Sequence, residues 1–202
     1  MWWRHCCSNL AARPLPVAST DGRRHASVYN LGLRLQGRNR TEYSMTPALN
    51  KPLPEFEALA TGGVKFTPQA YLGKIVVLYF YPKDNTPGCT TEAMQFRDHH
   101  KDFLKAGAVV FGVSRDNMSS HDKFKQSLEL PFELIADTEE KLCHMFGVVK
   151  NKIMYGKKVK GIERSTFLID ATGVLRGEWR GLKVAGHVEE VLKEVKALKK
   201  AG

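Results

Sequence analysis

Ile75-Val76-Val77-Leu78-Tyr79-Phe80-Tyr81 is the stretch that most constrains how this chain folds. An apolar run of this length without polar alternation is a strand buried on both faces of a sheet, which requires covering elements above and below it. It is also the longest apolar run in the chain and falls far short of a bilayer span, so no transmembrane helix is expected. Around it, elements alternate. Phe56–Leu59 and Lys65–Thr67 flank Thr61-Gly62-Gly63, a hairpin signal. A helical stretch is expected from about Thr86 to Ala106, with Ala93, Phe96, His100, Phe103 and Leu104 at three- and four-residue spacings. Ala108–Val113 reads as a second buried strand. A short helix near Ser119–Leu128, a strand at Phe132–Ile135 and a helix at Thr138–Phe146 follow. Ser165–Ile169 and Val174–Trp179 make a strand pair around the turn-rich Asp170-Ala171-Thr172-Gly173. The last helix, about Gly186–Lys200, carries Val188, Val191, Leu192, Val195 and Leu198 on one stripe. Strands and helices in this alternation build a single α/β sandwich.

The composition breaks near Ser44. Residues 1–44 hold seven Arg and no Lys against Asp21 and Glu42, whereas residues 45–202 hold 24 Lys plus Arg against 19 acids. Each part therefore carries +5 of the formal net charge of +10. Three readings stay open for residues 1–44: a mitochondrial-type presequence, an interaction tail, or upstream codons that are not normally translated. The Arg content and scarcity of acids fit the first, but Pro14 and Pro16 interrupt any amphipathic helix. We favour the last, with Met45 as the start, residues 1–44 a disordered extension, and residues 45–202 the folded domain. The later lysines mostly sit beside acids, as in Glu189-Glu190…Lys193-Glu194…Lys196, which describes a solvated helix face rather than a nucleic-acid interface. A basic cluster does occur at Lys150, Lys152, Lys157, Lys158 and Lys160. Four scattered cysteines, Cys6, Cys7, Cys89 and Cys143, contain no CxxC pair and fit a reducing compartment better than a disulfide scaffold. No Cys/His spacing suits a metal, and His121, His144 and His187 are isolated in sequence.

The segment Tyr81-Pro82-Lys83-Asp84-Asn85-Thr86-Pro87-Gly88-Cys89-Thr90-Thr91-Glu92 links the buried strand to the amphipathic helix. Such strand-to-helix loops, at the carboxyl ends of sheet strands, are where α/β proteins place their sites. Thr86 suits the N-cap and Pro87 the first helical position. Cys89 then falls within the first turn, among unpaired N–H groups at the positive end of the helix dipole. Thiols in such positions are enriched in thiolate, the nucleophilic form. The bland alternative, a buried cysteine filling space, fits poorly with the polar neighbours of Cys89.

This segment, together with Gly112-Val113-Ser114-Arg115-Asp116, Leu134-Ile135-Ala136-Asp137, Phe146-Gly147-Val148 and Arg164-Ser165-Thr166-Phe167-Leu168-Ile169-Asp170, resembles the peroxiredoxins of the bacterioferritin comigratory protein (peroxiredoxin Q) group. The resemblance runs from about Leu53 to the C-terminus. It implies a thioredoxin-like fold with an added N-terminal β-hairpin and a mixed central sheet flanked by helices. It also implies a thiol-dependent peroxidase without cofactor or metal. Cys89 matches the peroxidatic cysteine, oxidised to a sulfenic acid as hydrogen peroxide or an organic hydroperoxide is reduced. Thr86 matches the hydroxyl that hydrogen-bonds the peroxide, Pro82 the residue shielding the thiolate from water, and Arg164 the guanidinium beside the sulfur. Without the motif, Arg164 would be read as a surface ion pair with Glu163 or Asp170.

In one respect the chain departs from the pattern. Many members carry a resolving cysteine five residues after the first, where this chain has Met94, and others carry it around the position of Lys123–Gln126, where none occurs. Cys143 lies in an apolar helical segment and reads as core. The expectation is a one-cysteine enzyme whose sulfenic acid is resolved by an external thiol: thioredoxin, glutaredoxin or glutathione. Such a protein is expected to be a monomer in the cytoplasm, or in mitochondria or another organelle if residues 1–44 are a presequence. It is expected to have no nucleic-acid or membrane partner.

Overall fold

The computed structural model describes residues 46–154 and 157–201. The expectations for residues 1–44, including Cys6 and Cys7, lie outside that range. The central element is a five-stranded mixed sheet in the order β5-β4-β3-β8-β9. Its middle strand, β3 (Ile75–Phe80), is the apolar run, buried at every position. It pairs in parallel with β4 (Ala108–Ser114), which in turn pairs in parallel with β5 (Glu133–Ala136). On its other side β3 pairs antiparallel with β8 (Ser165–Ile169), and β8 pairs antiparallel with β9 (Leu175–Arg180).

Period-two alternation along β3 divides the core into two. Val77, Tyr79 and Tyr81 face one cluster, formed with α1 (Pro87–Asp98), α2 (His100–Lys105), α3 (Met118–Ser127) and α5 (His187–Ala201) through Phe96, Phe103, Phe124 and Val191. Val76, Leu78 and Phe80 face the other, formed with α4 (Lys141–Met145), Phe146 and the small hairpin of β1 (Ala58–Leu59) and β2 (Lys65–Phe66). The predicted N-terminal hairpin is therefore present, with Ala58 opposite Phe66, and its turn reaches the sheet edge. There Ala60 bridges to Ile135, and the Thr61 hydroxyl accepts from the Leu134 N–H at 3.0 Å while donating to Glu133.

Two expectations need correction. The single helix over 86–106 is two, broken at His99 (φ −90°, ψ 0°), and the bend keeps Phe103 against Phe96 at a centroid distance of 5.7 Å. The helix expected from Thr138 starts only at Lys141, because Glu140 adopts a left-handed conformation (φ 57°) and the Asp137 carboxylate caps from outside. It accepts from the N–H groups of Leu142 and Cys143 at 3.1 and 2.7 Å. The basic cluster at 150–160 belongs to a two-stranded antiparallel hairpin, β6 (Val149–Met154) and β7 (Lys157–Ile162). Among the described residues no helix is long and apolar enough to cross a membrane.

Gly112 is required by close approach. It sits opposite Tyr79 on β4, and a Cβ there would lie 2.7 Å from the tyrosine ring. With that space open, Tyr79 stacks on Phe96 at 4.6 Å and so seats α1 on the sheet.

Candidate active site

The β3–α1 loop delivers the cysteine. Tyr81 continues the strand by donating its N–H to the Val113 carbonyl, after which Pro82–Thr86 turn the chain into α1. Thr86 occupies the N-cap and Pro87 the first helical position, as the sequence indicates. The hydroxyl of Thr86 does not cap the helix; it donates back to the Lys83 carbonyl at 3.1 Å. The first turn closes instead through the Thr90 N–H, which donates to the Thr86 carbonyl at 2.9 Å.

Cys89, the third residue of α1, points inward and is 1% exposed. Arg164, just ahead of β8, brings its guanidinium to the sulfur: Nη2 donates to Cys89 Sγ at 3.2 Å. Its other arm, Nη1, forms a close ion pair with Glu92. The surface pairings available to Arg164 in sequence are taken elsewhere, since Asp170 binds Arg176 at 2.6 Å and Glu163 lies 4.0 Å from Lys150. Arg164 thus bridges two groups one helical turn apart on α1. The small Gly88 makes room for it, since a Cβ there would stand 3.3 Å from Nη2. Burial works against the guanidinium charge, but Glu92 and Cys89 outweigh it and hold Arg164 firmly protonated. Glu92 is fully buried, and burial pushes its carboxyl up to about 7 despite the neighbouring arginine. Pro82 lies half-buried in the same loop.

Sequence reasoning missed several members of this neighbourhood. Glu92 stands three residues after Cys89, a spacing that puts both on one helix face. Asp84 and His121, read separately as a loop acid and an isolated histidine, form a buried pair with Nδ1 3.0 Å from Oδ2. His187, at the start of α5, is buried with Nε2 2.8 Å from the Thr166 hydroxyl on β8, and burial lowers its imidazole to about 4. These contacts join residues 21 to 72 positions apart, which no local pattern reveals.

Cys143 is also fully buried, but in the cluster on the opposite face of the sheet from Cys89. Burial first, and the Asp137 carboxylate second, push its thiol far above the usual range. Met94 sits on α1 at 37% exposure.

Residues 49–177 match the AhpC/TSA family. The chain is 49% identical over 152 residues to peroxiredoxin Bcp of Bacillus subtilis, covering 75% of this chain and 97% of that protein. Peroxiredoxin Q of Xanthomonas campestris superposes with a TM-score of 0.69 at 48% identity, covering 71% of this chain and 91% of the solved one. A second Xanthomonas campestris structure, at TM-score 0.69 and 47% identity over 71% of this chain and 92% of that one, is of the bacterioferritin comigratory protein and concerns its alkyl peroxide reduction activity. A thiol at the head of an α/β crossover helix, held by an arginine just ahead of a neighbouring strand, thus coincides with relatedness across most of the described chain. The chain belongs to the AhpC/TSA family, within its Bcp, or peroxiredoxin Q, group of peroxiredoxins.

Proposed function

We propose that this protein reduces hydrogen peroxide and organic hydroperoxides through Cys89, with an external thiol as the source of electrons. The observation that carries this reading is the 3.2 Å contact between Arg164 Nη2 and Cys89 Sγ inside the first turn of α1. A fixed cation and the helix N-terminus both favour the thiolate over the thiol. The thiolate attacks one peroxide oxygen, the O–O bond breaks, and Cys89 becomes a sulfenic acid. The departing oxygen takes up a proton and leaves as water or an alcohol. Negative charge moves from sulfur to that oxygen, and a planar guanidinium serves both positions through adjacent N–H groups. Thr86 has its hydroxyl hydrogen engaged by Lys83, which leaves its lone pairs free to accept from the peroxide O–H. Pro82 limits water at the sulfur.

Resolution is one-cysteine. A first external thiol attacks the sulfenic sulfur, releasing water and forming a mixed disulfide; a second thiol releases the thiolate of Cys89 and a disulfide product. The balance is one hydroperoxide and two thiols converted to one alcohol, one water and one disulfide. The Met94 thioether forms no disulfide, and Cys143 lies beyond the sheet with its thiol held protonated. We assign the protein to a reducing compartment, the cytoplasm, as a monomer served by thioredoxin, glutaredoxin or glutathione. The working unit is residues 45–202, a span that includes the whole family match.

The test uses one equivalent of peroxide and a sulfenic-acid trap. Label is expected on the peptide carrying Cys89, with no internal disulfide in non-reducing mass mapping and full thiol-supported turnover in Cys143→Ser. Label on Cys143 with Cys89 left reduced would overturn the nucleophile. A Cys89–Cys143 disulfide in high yield, with Cys143→Ser inactive, would replace the one-cysteine route.

A further inference from the structure

The loop that carries Thr86 and Cys89 is short, and it holds a non-glycine residue in the left-handed region, Asn85 at φ 56°. Such a conformation persists only where its surroundings fix it. Within Pro82–Thr86 only Asp84 is buried, and four groups converge on it. The Tyr81 hydroxyl donates to Oδ1 at 2.8 Å, the Ser120 hydroxyl donates to Oδ2 at 2.7 Å, and His121 Nδ1 lies 3.0 Å from Oδ2. The Asp84 backbone N–H donates to the Asp116 carboxylate at 2.8 Å, which also accepts from the Ser114 hydroxyl. Burial alone would raise the Asp84 carboxyl, but the bonds from His121, Ser120 and Tyr81 outweigh it and keep the group low and ionised.

Both ring nitrogens of His121 face acceptors. Nε2 stands 3.2 Å from the Ile135 carbonyl, which only accepts, and Nδ1 faces an ionised carboxylate, which also only accepts. A ring that donates from both nitrogens meets both acceptors at once, and His121 has no exposure to solvent. The groups facing it are Tyr81 from the end of β3, Asp84 from the loop, Ser120 from its own helix and the Ile135 carbonyl from β5. Asp116, from the β4–α3 turn, is a second carboxylate held against the same loop.

We propose that His121 is a positioning residue for the peroxidase reaction: its buried ion pair with Asp84 pins the Pro82–Thr86 loop to α3 and β5, and so sets where Thr86 and the first turn of α1 meet the peroxide. The inference rests on the reading of Cys89 as the peroxide nucleophile. His121 touches neither sulfur nor substrate. Removing its charge releases the loop from a distance, leaving Cys89 chemically intact but Thr86 and Pro82 misplaced. Displacements of about 1 Å at reacting groups cost on the order of 100-fold in rate.

The signature is a split between two reactions of the same sulfur. Iodoacetamide alkylation needs thiolate and access only, whereas peroxide reduction also needs the aligned loop. In His121→Leu, the second-order rate with hydrogen peroxide is expected to fall about 10–100-fold while alkylation of Cys89 does not fall in step. His121→Asn, which keeps an N–H toward Asp84 without the charge, is expected to recover only a minor part of the peroxide rate. Asp84→Asn provides the same comparison if His121→Leu fails to fold. Independently of any peroxide measurement, the 15N spectrum of the parent protein at neutral pH should show both ring nitrogens of His121 protonated, with that signature lost in Asp84→Asn. A neutral His121 ring, or an unchanged ratio of the two rates in a folded variant, overturns the proposal. A parent protein that alkylates at Cys89 but does not reduce peroxide strikes the reading of the nucleophile instead, and the spectrum then still decides whether the ion pair exists.

Discussion

The two faces of the central sheet each hold one buried cysteine at the third position of a helix: Cys89 in α1 and Cys143 in α4. Both lie at or below 1% exposure. Position at a helix N-terminus, the signal that singled out Cys89 in the sequence, therefore applies equally to Cys143. What separates them is which charge completes the helix end. At α4 the Asp137 carboxylate takes the N–H groups of Leu142 and Cys143, filling the anion-binding end with a permanent negative charge. At α1 no side chain caps the helix, and an arginine stands against the sulfur. One helix end is already occupied by a carboxylate; the other is open, with a guanidinium beside the sulfur.

The largest expected effect on this contrast comes from Arg164→Lys. A lysine keeps the charge but not the fork that reaches Cys89 and Glu92 together. Peroxide reduction in stopped-flow should fall by about 10²–10³-fold, the usual loss for one aligned donor, with a small change in melting temperature. A parental rate would remove Arg164 from the site.

Acid should next distinguish the face that carries Cys89, because two groups buried there titrate with opposite signs. His187, lowered to about 4 from 6.5, contributes stability that is present above pH 6.5 and lost as pH falls through 4. Glu92, raised to about 7 from 4.5, contributes stability that is present below pH 4.5 and lost as pH rises through 7. Each is worth at most about 3 kcal/mol at 1.36 kcal/mol per pKa unit, and in the parent protein they largely cancel between these limits. Denaturant midpoints should thus vary little from pH 4.5 to 6.5, whereas His187→Gln should grow more stable toward acid. If the variant keeps a flat profile, the assignment of one or both groups is wrong.

The smallest effect sharpens the comparison from the other side. Asp137→Asn removes the negative charge beside Cys143 while keeping a carbonyl to accept from the helix end. Alkylation of Cys143 should speed up about tenfold, one pKa unit's worth, and still lag that of Cys89, because burial is the larger cause of its inertness. Equal rates at the two cysteines would show that charge alone, without burial, sets their difference.

Much of the fold was legible because burial leaves a local trace. The unbroken run of β3, the apolar β8 and the stripe of α5 all fall within two residues of their expected places. The β6–β7 hairpin left no such trace, since lysines at 150, 152, 157, 158 and 160 make it read as a basic cluster. The start of α4 was misplaced because its cap comes from Asp137, four residues before the helix, across a left-handed Glu140. At the site, the N-cap and first turn were readable from Thr86-Pro87-Gly88-Cys89 alone. Arg164, 75 residues from Cys89, was assigned through family resemblance, because nothing near it in sequence tells a buried guanidinium from a surface one. Asp84 and His121 had neither help, being joined only by the fold.

The burial of Cys89 also sets a kinetic ceiling. Under the proposed route a peroxide has to reach the buried sulfur, and its reacting part is only two oxygen atoms. A reductant carried on a protein is too large to follow, yet it must reach the same atom. The first turn of α1, held by the Thr90 N–H to the Thr86 carbonyl and by the Thr91 hydroxyl to the Pro87 carbonyl, has to open before such a thiol can touch the sulfur. With protein reductant in excess, turnover will stop rising with its concentration and settle at the opening rate of that turn, while a small thiol will show no such plateau at matched rates. Under the proposed route, the opening rate of that turn sets how long each oxidised sulfur survives before a large partner reaches it.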